Sequence, residues 1–363
     1  MTRPTIRPAP TPQPRPSADS LASELIATYT RAEQALIEQT TRLARAGLDP
    51  QAAARALLFT AMRRAAGQIA TQLRLRAQPL AMQLTRLAAV EGEAAAFTRM
   101  RRMVAAAPGV GLTRTSTAAA NAIGVELASK LAGVDNRILR FPDDAYRAIT
   151  ADAATDLVLS RATPAQAQAK AWHALVDHGI TGYVDRAGHD WNLASYTEVA
   201  VRTASQRAFN TAHEARMTAA GIEYFTVNHD GHPCPQCLPF EGKVLTRTGT
   251  EHDALRLDEA EAAGLFHPNC RHVLLPYFPG VTNLGRQSEW TDADEARYRA
   301  TQKLRYLERQ VRAAKYAQLG ALTPLDDHRA RARLRVAQAR IRDHVAQHDL
   351  VRKTRREQLS LGN

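Results

Sequence analysis

His232-Pro-Cys-Pro-Gln-Cys237 and, further along, Gly264-Leu-Phe-His-Pro-Asn-Cys-Arg-His272 hold every cysteine of a 363-residue chain that has only three. Cys234 and Cys237 are spaced C-x-x-C, so the turn between them points both sulfurs inward. Cys270 and His272 lie two apart, and in an extended segment they project to the same side. Together these four soft or borderline donors can close on one tetrahedral ion, for which zinc is the default. Three thiolates and one imidazole leave no open position for water, so one structural zinc is expected. The expected ligands are Cys234, Cys237, Cys270 and His272, with His267 as the alternate fourth. His229 and His232 compete as well, and all three of these histidines read first as loop histidines with ordinary hydrogen-bonding roles. An odd cysteine count speaks against a disulfide framework.

The segments around these motifs read as a small α+β module over residues 181–281. Tyr183 to Trp191 has the pattern of a short hairpin with Gly188 in its turn. Ser195 is placed to cap a long helix reaching about Ala220, which Gly221 ends. Ile222–Asn228 is a strand that delivers the chain to the first cysteine pair. Gly242–Leu245 suggests another strand, Asp258–Gly264 a short helix, and Val273–Tyr277 a strand leaving the site.

The rest of the chain reads as helix. Residues 1–16 contain six prolines and form a disordered, polyproline-biased tail. A helical domain follows over 17–108. Ser17 or Asp19 caps its first helix, and Leu21, Leu25, Tyr29, Ala32, Leu36, Thr40 and Leu43 form an apolar stripe. Gly47 stops that helix and Asp49-Pro50 restarts a second, expected to end at Gln78-Pro79 before a third. Pro108-Gly109-Val110-Gly111 is a linker. Residues 109–180 form a helical connecting region with expected breaks at Gly133, Phe141-Pro142 and Thr163-Pro164. The small-residue stretch Thr115–Leu131 suits packing on another helix better than a membrane, because Asn121, Glu126 and Lys130 interrupt it. Over 282–363, Leu304, Leu307, Val311 and Ala314 make one stripe and Leu334, Ala337, Ile341 and Val345 another. The break at Leu319–Pro324 then predicts an antiparallel helical hairpin with a basic tail. The expected fold class is mainly α, with the small α+β zinc-stabilised module and that hairpin.

Formal net charge is +12 and aromatic content only 6%. The charge is uneven: the cysteine-bearing middle is mildly acidic and both flanks are basic, which points to a polyanionic partner. Arg305, Arg309 and Arg312 fall on one helix face, Arg331, Arg335 and Arg342 on another, and Arg352, Lys353, Arg355 and Arg356 in the tail. These ten are the candidate nucleic-acid contacts, weighed against the ordinary reading of a solvated helical face. Without interleaved aromatics, any contact with double-stranded DNA should be sequence-independent. No signal peptide and no membrane span are expected, since neither an apolar h-region nor a run of about 18 apolar residues occurs.

Two enzyme classes match parts of the same pattern. Pro233-Cys234-x-x-Cys237 is half of the zinc deaminase signature, but that chemistry needs an upstream H-x-E, and His213-Glu214 has no intervening residue. A metal-dependent hydrolase or nuclease, or a toxin-like effector, is the alternative function; no paired histidine base or carboxylate cluster accompanies it. No catalytic residues are assigned. Trp191, Tyr196, Glu198 and Arg202 are read as the packing frame of the hairpin and helix.

Tyr183-Val184-Asp185-x-x-Gly188-x-x-Trp191-x-Leu193-x-x-Tyr196-x-Glu198-x-x-x-Arg202-Thr203 resembles the segment preceding the cysteines in phage minor capsid proteins. His232-Pro-Cys-x-x-Cys237-x-Pro-Phe-Glu-Gly-Lys243 and Gly264 to His272 resemble that family's closing motifs. The family is phage minor capsid protein 2, within the wider Mu F-like head morphogenesis group. In the wider group a Cys-Arg-Cys commonly stands where this chain has Cys270-Arg271-His272, an exchange that a metal ligand permits and that favours His272. The resemblance implies a low-copy virion component inside the capsid near the portal. Its implied partners are portal, capsid and scaffold proteins, and its implied role is in head assembly, DNA packaging or ejection, with no established catalytic activity.

Overall fold

The computed structural model describes residues 17–46, 52–101, 114–158, 172–173, 176, 183–184, 190–191, 193–228, 234–248, 254–284 and 289–359. The proline-rich tail, Gly47, Asp49-Pro50, the Pro108–Gly111 linker, the Thr163-Pro164 break, the Gly188 turn, His229 and His232 lie outside the described residues.

The chain is mainly helical with a small sheet. Helix α1 (Ala18–Ala46) is capped by Ser17, whose backbone N–H donates to Ser20 Oγ at 2.9 Å while Ser20 N–H donates back to Ser17 Oγ at 3.2 Å. Its expected stripe is the buried one, from Leu21 through Leu25, Tyr29, Ala32, Leu36 and Thr40. The next two helices overturn the expected breaks. Helix α2 (Ala52–Arg101) runs through Pro79, and α3 (Arg114–Val158) runs through Gly133 and Pro142. An interior proline costs about 3 kcal/mol, and glycine about 1 kcal/mol relative to alanine. Ala77, Ala81 and Leu84 flank Pro79, and Ile138 and Phe141 precede Pro142, all essentially fully buried. Each large apolar side chain contributes about 1.5–3 kcal/mol on burial, so packing outweighs the local break.

Helix α4 (Leu193–Ala219) starts two residues ahead of the expected cap. Ser195 is not the cap. Its Oγ receives Arg312 Nη2 at 3.3 Å. The buried carboxylate of Glu33, from α1, faces the first amides of α4, at Leu193 and Ala194. One buried cluster draws on α1, α2, α3 and α4, and includes Trp172, Val176, Tyr316 and Leu322. Helices α2 and α4 approach so closely at Gly92 that a Cβ there would lie 2.3 Å from the backbone oxygen of Phe209.

The short strands β1 (Tyr183–Val184) and β2 (Asp190–Trp191) pair antiparallel, with Tyr183 opposite Trp191. After α4 come β3 (Tyr224–Val227), β4 (Leu245–Thr246), β5 (Leu255–Arg256), α5 (Leu257–Ala262) and β6 (Leu274–Pro276). The second sheet has the order β5-β4-β3-β6, with β3 antiparallel to both neighbours and β5 parallel to β4. A second buried cluster joins this sheet to the bundle: Ala96 and Met100 from α2 and Met217 from α4 pack with Phe225, Leu245, Leu274, Cys237 and Cys270.

Helices α6 (Asp292–Leu319) and α7 (Pro324–Gln347) each begin with a capping box, Thr291 with Asp294 and Thr323 with Asp326. Leu304, Leu307 and Val311 of α6 share a buried cluster with Ala337 and Ile341 of α7. His344, near the end of α7, meets the Ala300 carbonyl near the start of α6 at 2.8 Å.

Candidate metal centre and the arginine-bearing arm

The first cysteine pair sits in a tight knuckle. Cys237 and Leu238 both donate backbone N–H groups to the Cys234 carbonyl, at 3.2 and 3.0 Å, and a single 3-10 turn follows at Leu238–Phe240. The second arm comes from the loop between α5 and β6. Gly264 has φ of 115°, and Phe266 and Asn269 have φ of 58° and 65°. A positive φ is uncommon outside glycine, and a bulky aromatic there is strained. These left-handed residues bracket His267 and precede Cys270, so the strain is spent turning both side chains inward. Cys270 N–H donates to the His267 carbonyl at 2.9 Å, closing the loop.

Five donors thereby converge. Cys234 Sγ lies 3.1 Å from His267 Nε2, Cys237 Sγ lies 3.6 Å from Cys270 Sγ, and Cys270 Sγ lies 3.4 Å from His272 Nδ1. Two triads, Cys234–Cys237–His267 and Cys237–Cys270–His272, share Cys237, and each could hold a metal ion. Cys237, Cys270 and His272 are buried, whereas Cys234 and His267 are half-buried. The donor chemistry fits a soft or borderline divalent cation. Hydrogen bonding among the three sulfurs holds the Cys234 and Cys270 thiols well below the usual thiol range and pushes Cys237 itself up. Backbone N–H groups also face two sulfurs: those of Gln236 and Cys237 face Cys234, and that of His272 lies 3.4 Å from Cys270 Sγ. The Cys234 sulfur in turn raises the pKa of His267.

Both imidazoles are oriented from behind. His272 Nε2 meets Glu241 Oε1 at 2.9 Å, and His267 Nδ1 meets the Pro268 carbonyl at 2.8 Å. A metal-ligating histidine commonly uses its second nitrogen in this way. Glu241 is the functional residue that cysteine spacing misses; it stood in the sequence only as part of Pro-Phe-Glu-Gly-Lys. Asn210 is a second. Its Nδ2 donates to the His272 carbonyl at 3.1 Å, and it is held by Gln206 Nε2 at 3.0 Å, so α4 fixes the backbone of the ligand loop.

The deaminase residues are elsewhere. His213 is fully buried, with Nδ1 on the Gly92 carbonyl at 2.9 Å and Nε2 on the Leu274 carbonyl at 3.1 Å. Glu214 pairs with Arg247, which also reaches Glu261. Glu198 and Arg202 pair with each other on α4 at 3.0 Å.

The arginines divide. Arg312 is 7% exposed and donates to the Arg356 carbonyl at 2.6 Å and to Ser195 Oγ, so its expected place on an open basic face is corrected. Arg352 is also taken up: it forks onto the buried carboxylate of Glu357, with both contacts at 2.6 Å. Arg305 pairs with buried Glu308 at 2.9 Å, and Arg356 is half-buried. Arg309, Arg331, Arg335, Arg342, Lys353 and Arg355 are exposed, Arg331 in a 2.8 Å ion pair with Asp327. The stripe reads differently at Arg312 in the fold because α6, packed on one side by α7, also packs on α1 and on the C-terminal turn at Thr354–Glu357, with Ser195 of α4 within hydrogen-bond reach. No described helix is long and apolar enough to cross a membrane.

Likeness to known proteins places this helical chain with its Cys/His cluster among phage structural proteins. The chain belongs to the phage minor capsid protein 2 family, whose model matches residues 16–346. It is also 30% identical over 146 residues to a structural protein of Lactococcus phage LL-H. That match covers 36% of this chain and 38% of the relative, so the chain spans well under half of the relative's length. No solved structure matches significantly.

Proposed function

We propose that this protein is a low-copy head component lying inside the capsid near the portal, with portal, capsid and scaffold proteins as neighbours and packaged DNA against its C-terminal arm. The observation that carries the reading is the convergence of all three cysteines and two histidines in a chain belonging to a minor capsid family. One zinc holds the module together, bound by Cys234, Cys237, Cys270 and His272, with His267 the alternate. The buried Glu241 behind His272 favours His272 as the ligand. Such a closed set supplies folding energy and presents no water for hydrolysis. The antiparallel hairpin of α6 and α7 carries the exposed arginines to sequence-independent contact with DNA phosphates, in support of head assembly, DNA packaging or ejection.

Quantitative mass spectrometry of purified virions and of DNA-free heads, with crosslinking, tests the reading. A few copies per particle crosslinked to the portal are expected in both. Absence from both particles would overturn a virion role, and crosslinks confined to the outer capsid surface would overturn the interior position.

A further inference from the structure

Helix α7 is amphipathic in an unusual way. At about 100° per residue, its arginines separate into two rails. Arg329, Arg333 and Arg340 lie on one flank, and Arg331, Arg335 and Arg342 on the other. All six are exposed. Between the rails on one side runs the seam packed on α6, through Ala337 and Ile341. Between them on the outward side stand Ala332, Val336 and Ala339, with Val336 52% exposed. The outward face is therefore narrow and uncharged along the rails, small-residue at Ala332 and Ala339 and aliphatic at Val336 and at Leu325, 57% exposed in the first turn, with a cationic edge on either side. Each rail covers twelve residues, eleven rises of about 1.5 Å or about 16 Å along the axis.

That cross-section suits one occupant. The B-DNA major groove, about 12 Å wide, admits an α-helix of about 10–12 Å diameter. A helix seated there has one phosphate backbone on each flank, and arginine is well suited to phosphate. Small and aliphatic side chains on the leading face allow close approach without reading base edges. We infer that α7 seats in the major groove, with its outward face towards the groove floor and its two arginine rails on opposite phosphate backbones. This rests on the reading that the arm contacts DNA and adds which helix enters which groove. Two carboxylates limit the contact. Asp343 lies on the outward face at the C-terminal end, and Asp327 holds Arg331 in the free protein.

Salt titrations of the full-length protein on a short duplex test it, beside variants in which each rail is changed from arginine to glutamine, which keeps helix propensity. Each triple variant should lower the slope of log K against log salt by up to about 2.7, three phosphates at about 0.9 each, with helicity unchanged by circular dichroism. Duplex carrying glucosylated hydroxymethylcytosine, which fills the major groove, should bind at least about tenfold more weakly, a loss of about 1.4 kcal/mol. Netropsin in the minor groove should leave binding unaltered, and Asp343→Asn should tighten it. Wild-type binding that is indifferent to glucosylation, or slopes unchanged in both rail variants, would overturn groove seating and leave the DNA reading standing. No wild-type binding at low salt would overturn both, leaving an acidic portal surface as the partner.

Discussion

His272 and Glu241 face each other at 2.9 Å with both side chains almost wholly out of water, His272 at 2% exposure and Glu241 at 5%. The pair lies behind the cysteine cluster, and His272 Nδ1 is left facing Cys270 Sγ. A carboxylate in this position fixes the imidazole tautomer and raises its basicity as a ligand. Glu241→Gln should keep the fold yet weaken zinc binding about 10–100-fold in a chelator competition. His272→Ala should weaken it more than His267→Ala. The reverse order would make His267 the fourth ligand.

Protein purified without added metal should carry close to one zinc by elemental analysis. Cys270→Ser should unfold the 181–281 module, because structural zinc sites contribute apparent energies of about 10–16 kcal/mol, as large as the whole stability of most domains at about 5–15 kcal/mol. Limited proteolysis and circular dichroism read this out. A protease-resistant, metal-free module would refute a structural role for the ion.

Gly92→Ala tests the junction of module and bundle. The new Cβ would meet backbone, the Phe209 oxygen, and the Gly92 carbonyl also holds His213. Backbone cannot rotate aside as a side chain can. Thermal denaturation should show a loss at or above the usual 1–3 kcal/mol of an overpacked core, whereas Gly133→Ala, with open space around it, should be neutral or stabilising.

The tail cluster should not respond as one unit. Arg352→Ser strands the buried Glu357 carboxylate and should cost about 1–3 kcal/mol by chemical denaturation. Lys353→Ser with Arg355→Ser should leave stability unaltered and lower the DNA salt slope by up to about 1.8.

Two buried carboxyls should each subtract stability as pH rises through the weakly acidic range. Burial pushes the Glu33 carboxyl up to about 7 and Asp135 up to about 6, above their ordinary values of 4.5 and 3.8. Between those values each of these two carboxyls holds more proton in the folded chain than in the unfolded one, so their penalty is absent below about pH 4 and complete above about pH 7, against the opposite contribution of the lowered Cys234 and Cys270 thiols and of buried His213. The Glu33 contribution is therefore read by difference: from pH 5 to pH 8 the denaturant midpoint of Glu33→Gln should rise relative to that of the wild type. A Glu33→Gln profile parallel to wild type would show that its carboxylate stays ionised throughout.

The sequence alone determined what needs only neighbours along the chain. The α1 stripe, the Ser17 cap, the strand entering the knuckle and the two heptad-like stripes of α6 and α7 all follow from local periodicity and turn chemistry. So did the metal candidates, because a C-x-x-C pair and a C-x-H pair carry their geometry with them. Tertiary structure decided whatever depended on groups far apart in sequence. Pro79 and Pro142 stay inside helices because buried side chains on either side outweigh a lost hydrogen bond. Helix α4 begins at Leu193 because Glu33, from another helix, stands at its first amides. Arg312 and Arg352 look like surface charge until Ser195 and Glu357 are brought to them. Glu241 becomes a partner of the metal centre only when the chain folds it against His272, since hydrogen bonding depends on distance in space and leaves no period in the sequence.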